Sequence, residues 1–314
     1  MQIYDFYGIA RTFYAKKCSM PLLIKYLYVN LQFKSVDMKK TCLLTLGFVL
    51  LFTSCAQEFN RVYKSSDYRY KYEYAKECFA EGKYVRATTL LQDLIVPEKG
   101  SRDAQECLYM LGMAEYCSRD YVTASETFSK YTKSYPRGYF AEMAYFYVGQ
   151  SLYMSTPEPR LDQSQTVQAI AAFQTYLDLF PDAKMKETAQ KRLFDLQDKL
   201  VEKELYSARL YYNLGTYFGN CSDGGNNYEA CIVTAENALK DYPYTKRRED
   251  FALLIMKSKY ELAQQSVESK KMERFQDAED EAYGFVNEYP DSKERKLAEE
   301  YIAKCKKITS TAKD

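Results

Sequence analysis

The sequence predicts an all-α protein, a superhelical solenoid of five helix-turn-helix repeats, and three observations carry that prediction. First, aromatic-Pro or similar stops recur at Val96-Pro97, Tyr135-Pro136, Phe180-Pro181, Tyr242-Pro243 and Tyr289-Pro290. Proline lacks the amide donor and disfavours helix at the residue before it, so each pair ends a helix. Second, an amphipathic run precedes each stop, as in TASETFSKYTKSYP, QAIAAFQTYLDLFP and TAENALKDYP. Ala124, Phe128 and Tyr131, like Ala169, Phe173 and Tyr176, recur at helical spacing. Third, only 12 glycines and 8 prolines occur in 314 residues, which favours long helices with short connections.

Taken from the amino terminus, residues 1–37 are Tyr-rich and mixed, without clear periodicity. They are expected to be a mis-assigned upstream start or disordered. Translation is expected to begin at Met38, where Met38-Lys39-Lys40 is an ordinary start for an export signal. An apolar run of about a dozen residues follows, short of the roughly 20 that span a bilayer but right for the core of a secretory signal. Thr53-Ser54-Cys55 closes it, with Phe52 where an aliphatic residue is usual. That ending resembles the lipobox of bacterial lipoproteins. It assigns 38–54 as signal peptide, Cys55 as the lipid-attachment residue and first mature position, and 55–66 as a tether. Several acyl chains give stable attachment where one is marginal.

The repeats are expected over 67–308, with 309–314 as a disordered tail. Upstream of each stop lies a second helix marked by a small residue for close helix approach: Ala75, Gly112, Gly149, Gly215 and Ser258. Leu108, Leu111, Gly112, Tyr121, Ala124, Phe128, Tyr131 and Pro136 sit at tetratricopeptide (TPR) spacing. The third unit carries the extra residues STPEPRLDQSQ, the fourth the polar insertion NCSDGGNN, and the fifth an extended charged turn near VESKKMERF. An additional helical stretch, KETAQKRLFDLQDKLVEKELYSARLYYNLG, joins the third unit to the fourth. Such units stack one-dimensionally and leave a long concave groove for peptides and proteins.

Composition narrows function. The absence of histidine removes Ser-His-Asp and Cys-His nucleophile systems and any His-ligated metal. The balance of 44 basic to 43 acidic residues gives no general attraction to nucleic acid, and beyond Ser54 it becomes 37 to 41, mildly acidic. Nine cysteines show no metal-like spacing; they read as small core residues, with long-range disulfides as the alternative. No cofactor is expected. Tyr68, Tyr70, Tyr72 and Tyr74 alternate strictly. As a strand they would present one aromatic face to an extended ligand; as a helix, the favoured reading, they scatter around the axis. Asp277, Glu279, Asp280 and Glu281 read as a charged helix face, and GNCSDGGNN lacks the lysine of a phosphate loop.

The order of lipobox, tether, five units and linker resembles the outer-membrane protein assembly factor BamD family. The segment AIAAFQTYLDLFPDAKMKETAQKRLFDLQDKL is the most specific match, continued by Tyr206-Ser207, Tyr211-Tyr212 and Asp241-Tyr242-Pro243-Tyr244-Thr245. The resemblance implies a non-enzymatic lipoprotein on the periplasmic face of the outer membrane. Its implied partners are a BamA-type barrel protein, unfolded outer-membrane protein segments and, through the lipid, the membrane. It places substrate contacts at Tyr72, Phe79, Tyr84 and Tyr116, and barrel-protein contacts at Lys246, Arg247, Arg248 and Glu249. Val96-Pro97 departs from the usual Tyr-Pro, and the segment Tyr211 to Gly215 lacks the family's basic residue. The alternative is another periplasmic TPR adaptor lipoprotein, in envelope or cell-wall coordination or glycan uptake.

Overall fold

The computed structural model describes residues 57–95, 103–217 and 226–311. Residues 1–37, the signal 38–54, Cys55, the Val96-Pro97 stop and most of the polar insertion lie outside them. The chain divides into two units, 1–66 and 67–314. In the first, residues 57–63 form a short helix, α1, with the Phe59 and Tyr63 rings stacked at 6.2 Å. Among the described residues the second is entirely helical.

Its described residues form eleven helices: α2 (Tyr68–Ala80), α3 (Tyr84–Leu94), α4 (Ala104–Cys117), α5 (Tyr121–Ser134), α6 (Ala141–Ser155), α7 (Ser164–Leu179), α8 (Lys186–Leu214), α9 (Asn227–Asp241), α10 (Arg248–Gln264), α11 (Glu268–Glu288) and α12 (Arg295–Thr311). Each packs mainly on its neighbours in sequence, giving five pairs closed by α12. This is the TPR-like solenoid that the repeats predict. The last helix runs three residues past the expected boundary at 308.

Local chemistry sets the boundaries. Asp67 caps α2 by accepting from the Tyr70 amide at 3.0 Å, so the alternating tyrosines enter a helix and not a strand. Tyr72 is then buried while Tyr68 and Tyr70 remain exposed. The four described aromatic-Pro stops share one geometry. Tyr135, Phe180, Tyr242 and Tyr289 have φ between −125° and −135° and ψ between 62° and 65°. Each donates its amide to the carbonyl four residues back and accepts from the amide three residues on. The proline forces the departure from helix, and that bond sets the turn into the next helix.

The turns within the first two pairs use a different device. Gly82 has φ +75° and Arg119 has φ 69°, and Lys83 and Asp120 donate back five residues to close each helix. Arg119 therefore holds a conformation that glycine tolerates best. Arg119→Gly is expected to raise stability by about 0.5–1 kcal/mol in urea denaturation, the left-handed strain outweighing glycine's extra entropy when unfolded.

Two of the small residues act as expected. A Cβ on Gly112 would meet Phe128 at 2.8 Å, and one on Gly149 would meet Phe173 at 2.8 Å. Gly215 does so too, but from the end of its helix: it is the C-cap of α8 at φ +51°, and a Cβ on it would meet the Tyr228 hydroxyl of α9 at 2.7 Å. Within the 29-residue α8, buried Ala208 shares a cluster with Cys231, Ala235 and Ala238 of α9. The charged stretch VESKKMERF is a correction. From Glu268 it is the start of α11, held by Lys271–Glu268 at 3.4 Å and Arg274–Glu229 at 2.7 Å.

The linker and the first helix of the fourth pair are one continuous element. The first half of α8 packs Ala189 and Leu196 on Phe146, Phe173 and Tyr176; its second half packs Val201, Leu205 and Ala208 on α9 and α10. Among described cysteines, Cys78, Cys107, Cys231 and Cys305 are buried and unbridged, as core residues should be. Burial pushes the Cys305 thiol up to about 11. Since the thiolate is the reactive form, maleimide labelling near neutral pH is expected to spare these four until urea is added. Mass spectrometry of the labelled peptides checks this.

Candidate functional site

The first two pairs hold the aromatic residues expected to meet an extended ligand. Phe79 ends α2 and Tyr84 begins α3, both half-buried, with their rings edge-on at 5.5 Å. Burial, followed by the neighbouring Cys117 at the end of α4, raises the Tyr84 hydroxyl above its ordinary value. Next to Cys117, half-buried Tyr116 packs edge-on against Tyr121 at 5.4 Å and Tyr147 at 5.2 Å, and its hydroxyl accepts from Gln150 at 3.4 Å. The aromatics thus form two groups, Phe79 with Tyr84 between α2 and α3, and Tyr116 with Tyr121 and Tyr147 over α4 to α6. Tyr72 stands apart. It is 4 % exposed, and burial followed by the Glu106 carboxylate holds its hydroxyl far above the usual phenol range. Its ring belongs to the α2–α4 interior and offers little surface to a ligand.

The second expected surface lies in the turn after the fourth stop and the start of α10. Lys246 is exposed. Arg247 pairs with Glu202 of α8 at 3.1 Å and with Asp250 at 3.4 Å, while Asp250 also meets Arg209 of α8 at 2.9 Å. Arg248 reaches Glu288 of α11 at 3.3 Å and the Pro243 carbonyl at 3.2 Å. Glu249 accepts from Ser292 at 2.6 Å. The cluster therefore ties α8, α10 and the last turn together. Arg295 repeats the device one unit later, donating to the Pro290 carbonyl at 3.1 Å. Being part-exposed, these pairs contribute little stability each.

Two features escaped the sequence. A cleft of about 620 Å³ opens between α5, α6 and α7, lined by Val122, Ser125, Ser129, Lys130, Leu152 and Gln168 among others. The second is a set of exposed valines, Val85, Val122, Val167 and Val233, at 72 %, 50 %, 55 % and 55 % exposure. Each stands two residues before a fully buried alanine: Ala87, Ala124, Ala169 and Ala235. The triplets VRA, VTA, VQA and VTA at one repeat position were the available signal. They put an exposed apolar side chain at the same place on the second helix of four successive pairs.

Among the described residues no cluster of carboxylates and thiols could hold a metal, and no helix is long and apolar enough to cross a membrane. Buried Glu115 is the one strongly desolvated carboxyl whose shift is resolved. Burial raises it, partly offset by the nearby Thr127 and Gln92.

The family model YfiO, described as outer membrane lipoprotein, matches residues 64–222, half of the chain. No curated protein matches the chain.

Proposed function

The chain belongs to the YfiO family of outer-membrane lipoproteins, and from that premise we propose that it is a non-catalytic scaffold of the machinery that folds β-barrel proteins into the outer membrane. The observation carrying this is the match across α2 to α8, the part of the solenoid holding Phe79, Tyr84, Tyr116 and three of the four exposed valines. In this reading Cys55 anchors the protein to the periplasmic face. Phe79, Tyr84, Tyr116 and the exposed valines receive extended segments of unfolded barrel proteins, with Tyr72 holding the interior behind them. Lys246, Arg247, Arg248 and Glu249 face the periplasmic part of a BamA-type barrel protein.

Half-buried tyrosines suit such a role because each offers an apolar body and a polar tip. Repeated apolar contacts along a stack let one extended chain engage several units together, without demanding a fixed sequence.

The deciding experiment is purification of the carboxy-terminally tagged lipoprotein from membranes in mild detergent. A BamA-type barrel protein should co-purify, and depletion should lower many outer-membrane barrels together. Recovery without any such barrel protein, or loss of a single transporter on depletion, would sink the proposal. Arg247→Ala with Arg248→Ala should cut that recovery severalfold, while costing no more than about 1 kcal/mol per pair lost. Equal recovery from the double variant would remove this cluster from the interface.

A further inference from the structure

The carboxy-terminal end of the solenoid carries a second cleft, of about 720 Å³, where the last turn of α10, the first turns of α11 and the last turns of α12 meet. Its apolar lining is Tyr260, Met272 and Ile308, and its charged lining is Lys271, Lys304 and Lys307 against Glu268 alone. Tyr260 is 5 % exposed and stacks on Tyr301 at 4.0 Å, so the floor is rigid and only its edge is open. Met272 and Ile308 are half-buried beside it. Elsewhere α12 closes the solenoid in the usual way, with Ala298, Tyr301, Ile302 and Cys305 turned inward.

The lining of this cleft is basic although acidic residues outnumber basic ones beyond Ser54: it holds three lysines and Glu268, with Glu300 and Glu261 beside Lys304 just outside it. Lys271 pairs with Glu268 at 3.4 Å and Lys304 with Glu300 at 2.6 Å, both within one helix and largely exposed. Pairs of that kind are weak and give way to a better-placed anion. A bare anion would leave Met272 and Ile308 unused, and a wholly apolar ligand would leave the lysines unused.

We propose that this cleft docks an acidic segment of a partner protein, with an apolar side chain on the Tyr260–Met272–Ile308 floor and carboxylates meeting Lys271, Lys304 and Lys307. The partner so defined is acidic and amphipathic, and it binds at the end of the stack, away from the aromatics of the first pairs. The apolar insertion supplies most of the affinity, and the lysines select the partner and speed its arrival.

The test uses the purified lipoprotein in detergent and fluorescein-labelled short peptides repeating Glu-Glu-Leu, Glu-Glu-Ser or Lys-Lys-Leu. The Glu-Glu-Leu peptide is expected to bind, and the other two to bind markedly less. Its affinity should fall about tenfold with Lys271→Glu, Lys304→Glu and Lys307→Glu combined, and fall also as salt is raised. Should the triple reversal unfold the protein by circular dichroism, the Gln triple at the same positions takes its place. Equal binding of the acidic and basic peptides overturns the proposal, as does an unchanged affinity in the variant. Binding to phosphatidylglycerol–phosphatidylethanolamine vesicles through these lysines, without peptide binding, overturns it too. None of these readouts involves the barrel protein, so this proposal and the assembly role stand or fall separately.

Discussion

Phe173→Ala is expected to cost about 3–5 kcal/mol, the largest stability loss from any one substitution considered for this solenoid. The ring is fully buried on α7, 6.0 Å edge-on from Phe146, in one cluster with Tyr176 and with Ala189 and Leu196 of α8. It also fills the space that Gly149 leaves on α6, where an added Cβ would come within 2.8 Å of the ring. Removing it opens a cavity at the joint where three helices meet. Because a solenoid is held by contacts between neighbours, the damage should be local, and urea unfolding should separate into two transitions. Gly149→Ala alone should cost about 1–3 kcal/mol by overpacking. In the double variant the added methyl gains room, so the combined loss should be smaller than the sum. Simple additivity, measured by circular dichroism in urea, would show that the glycine is not there for the ring.

Cys55→Ala is expected to abolish attachment to the outer membrane. The thiol is the only proposed site for the lipid, and the remaining apolar run is about a dozen residues, too short to span a bilayer. Each buried acyl methylene contributes about 0.8 kcal/mol, so losing several chains removes far more binding than surface contacts could restore. Density-gradient fractionation and the mass of the amino-terminal peptide read the result. A variant that stays in the outer-membrane fraction would show that something other than Cys55 holds the protein there.

The repeat architecture was legible because its signals act over a few residues. The aromatic-Pro pairs at 135, 180, 242 and 289 fix backbone angles directly, and Asp67 ends the ambiguity of the alternating tyrosines with a single cap. Where no such signal stood, the expectation slipped. VESKKMERF looked like a turn from its charges, yet Arg274 finds Glu229, 45 residues away, and the segment becomes the start of α11. Gly215 was expected inside a helix, yet it ends α8, and from that end it still leaves room for Tyr228 of α9.

The candidate surfaces were half legible. The family resemblance pointed to Phe79, Tyr84 and Tyr116, and the structure leaves all three half-buried, Phe79 against Tyr84 and Tyr116 against Tyr121 and Tyr147. Tyr72 carried the same chemistry and went inward, because its helical phase faces α4. The basic cluster was visible as a run, but its partners were not, since Glu202 and Glu288 lie 45 and 40 residues from the arginines they meet.

By itself the sequence determined the helices, their order, their stops and the repeat that stacks them, since proline geometry, capping and helical period are local. Only the tertiary structure decided which tyrosines stay open, which charges are already paired and where clefts form. Those outcomes depend on burial and on contacts between neighbouring units, and no stretch of chain contains both sides of such a contact.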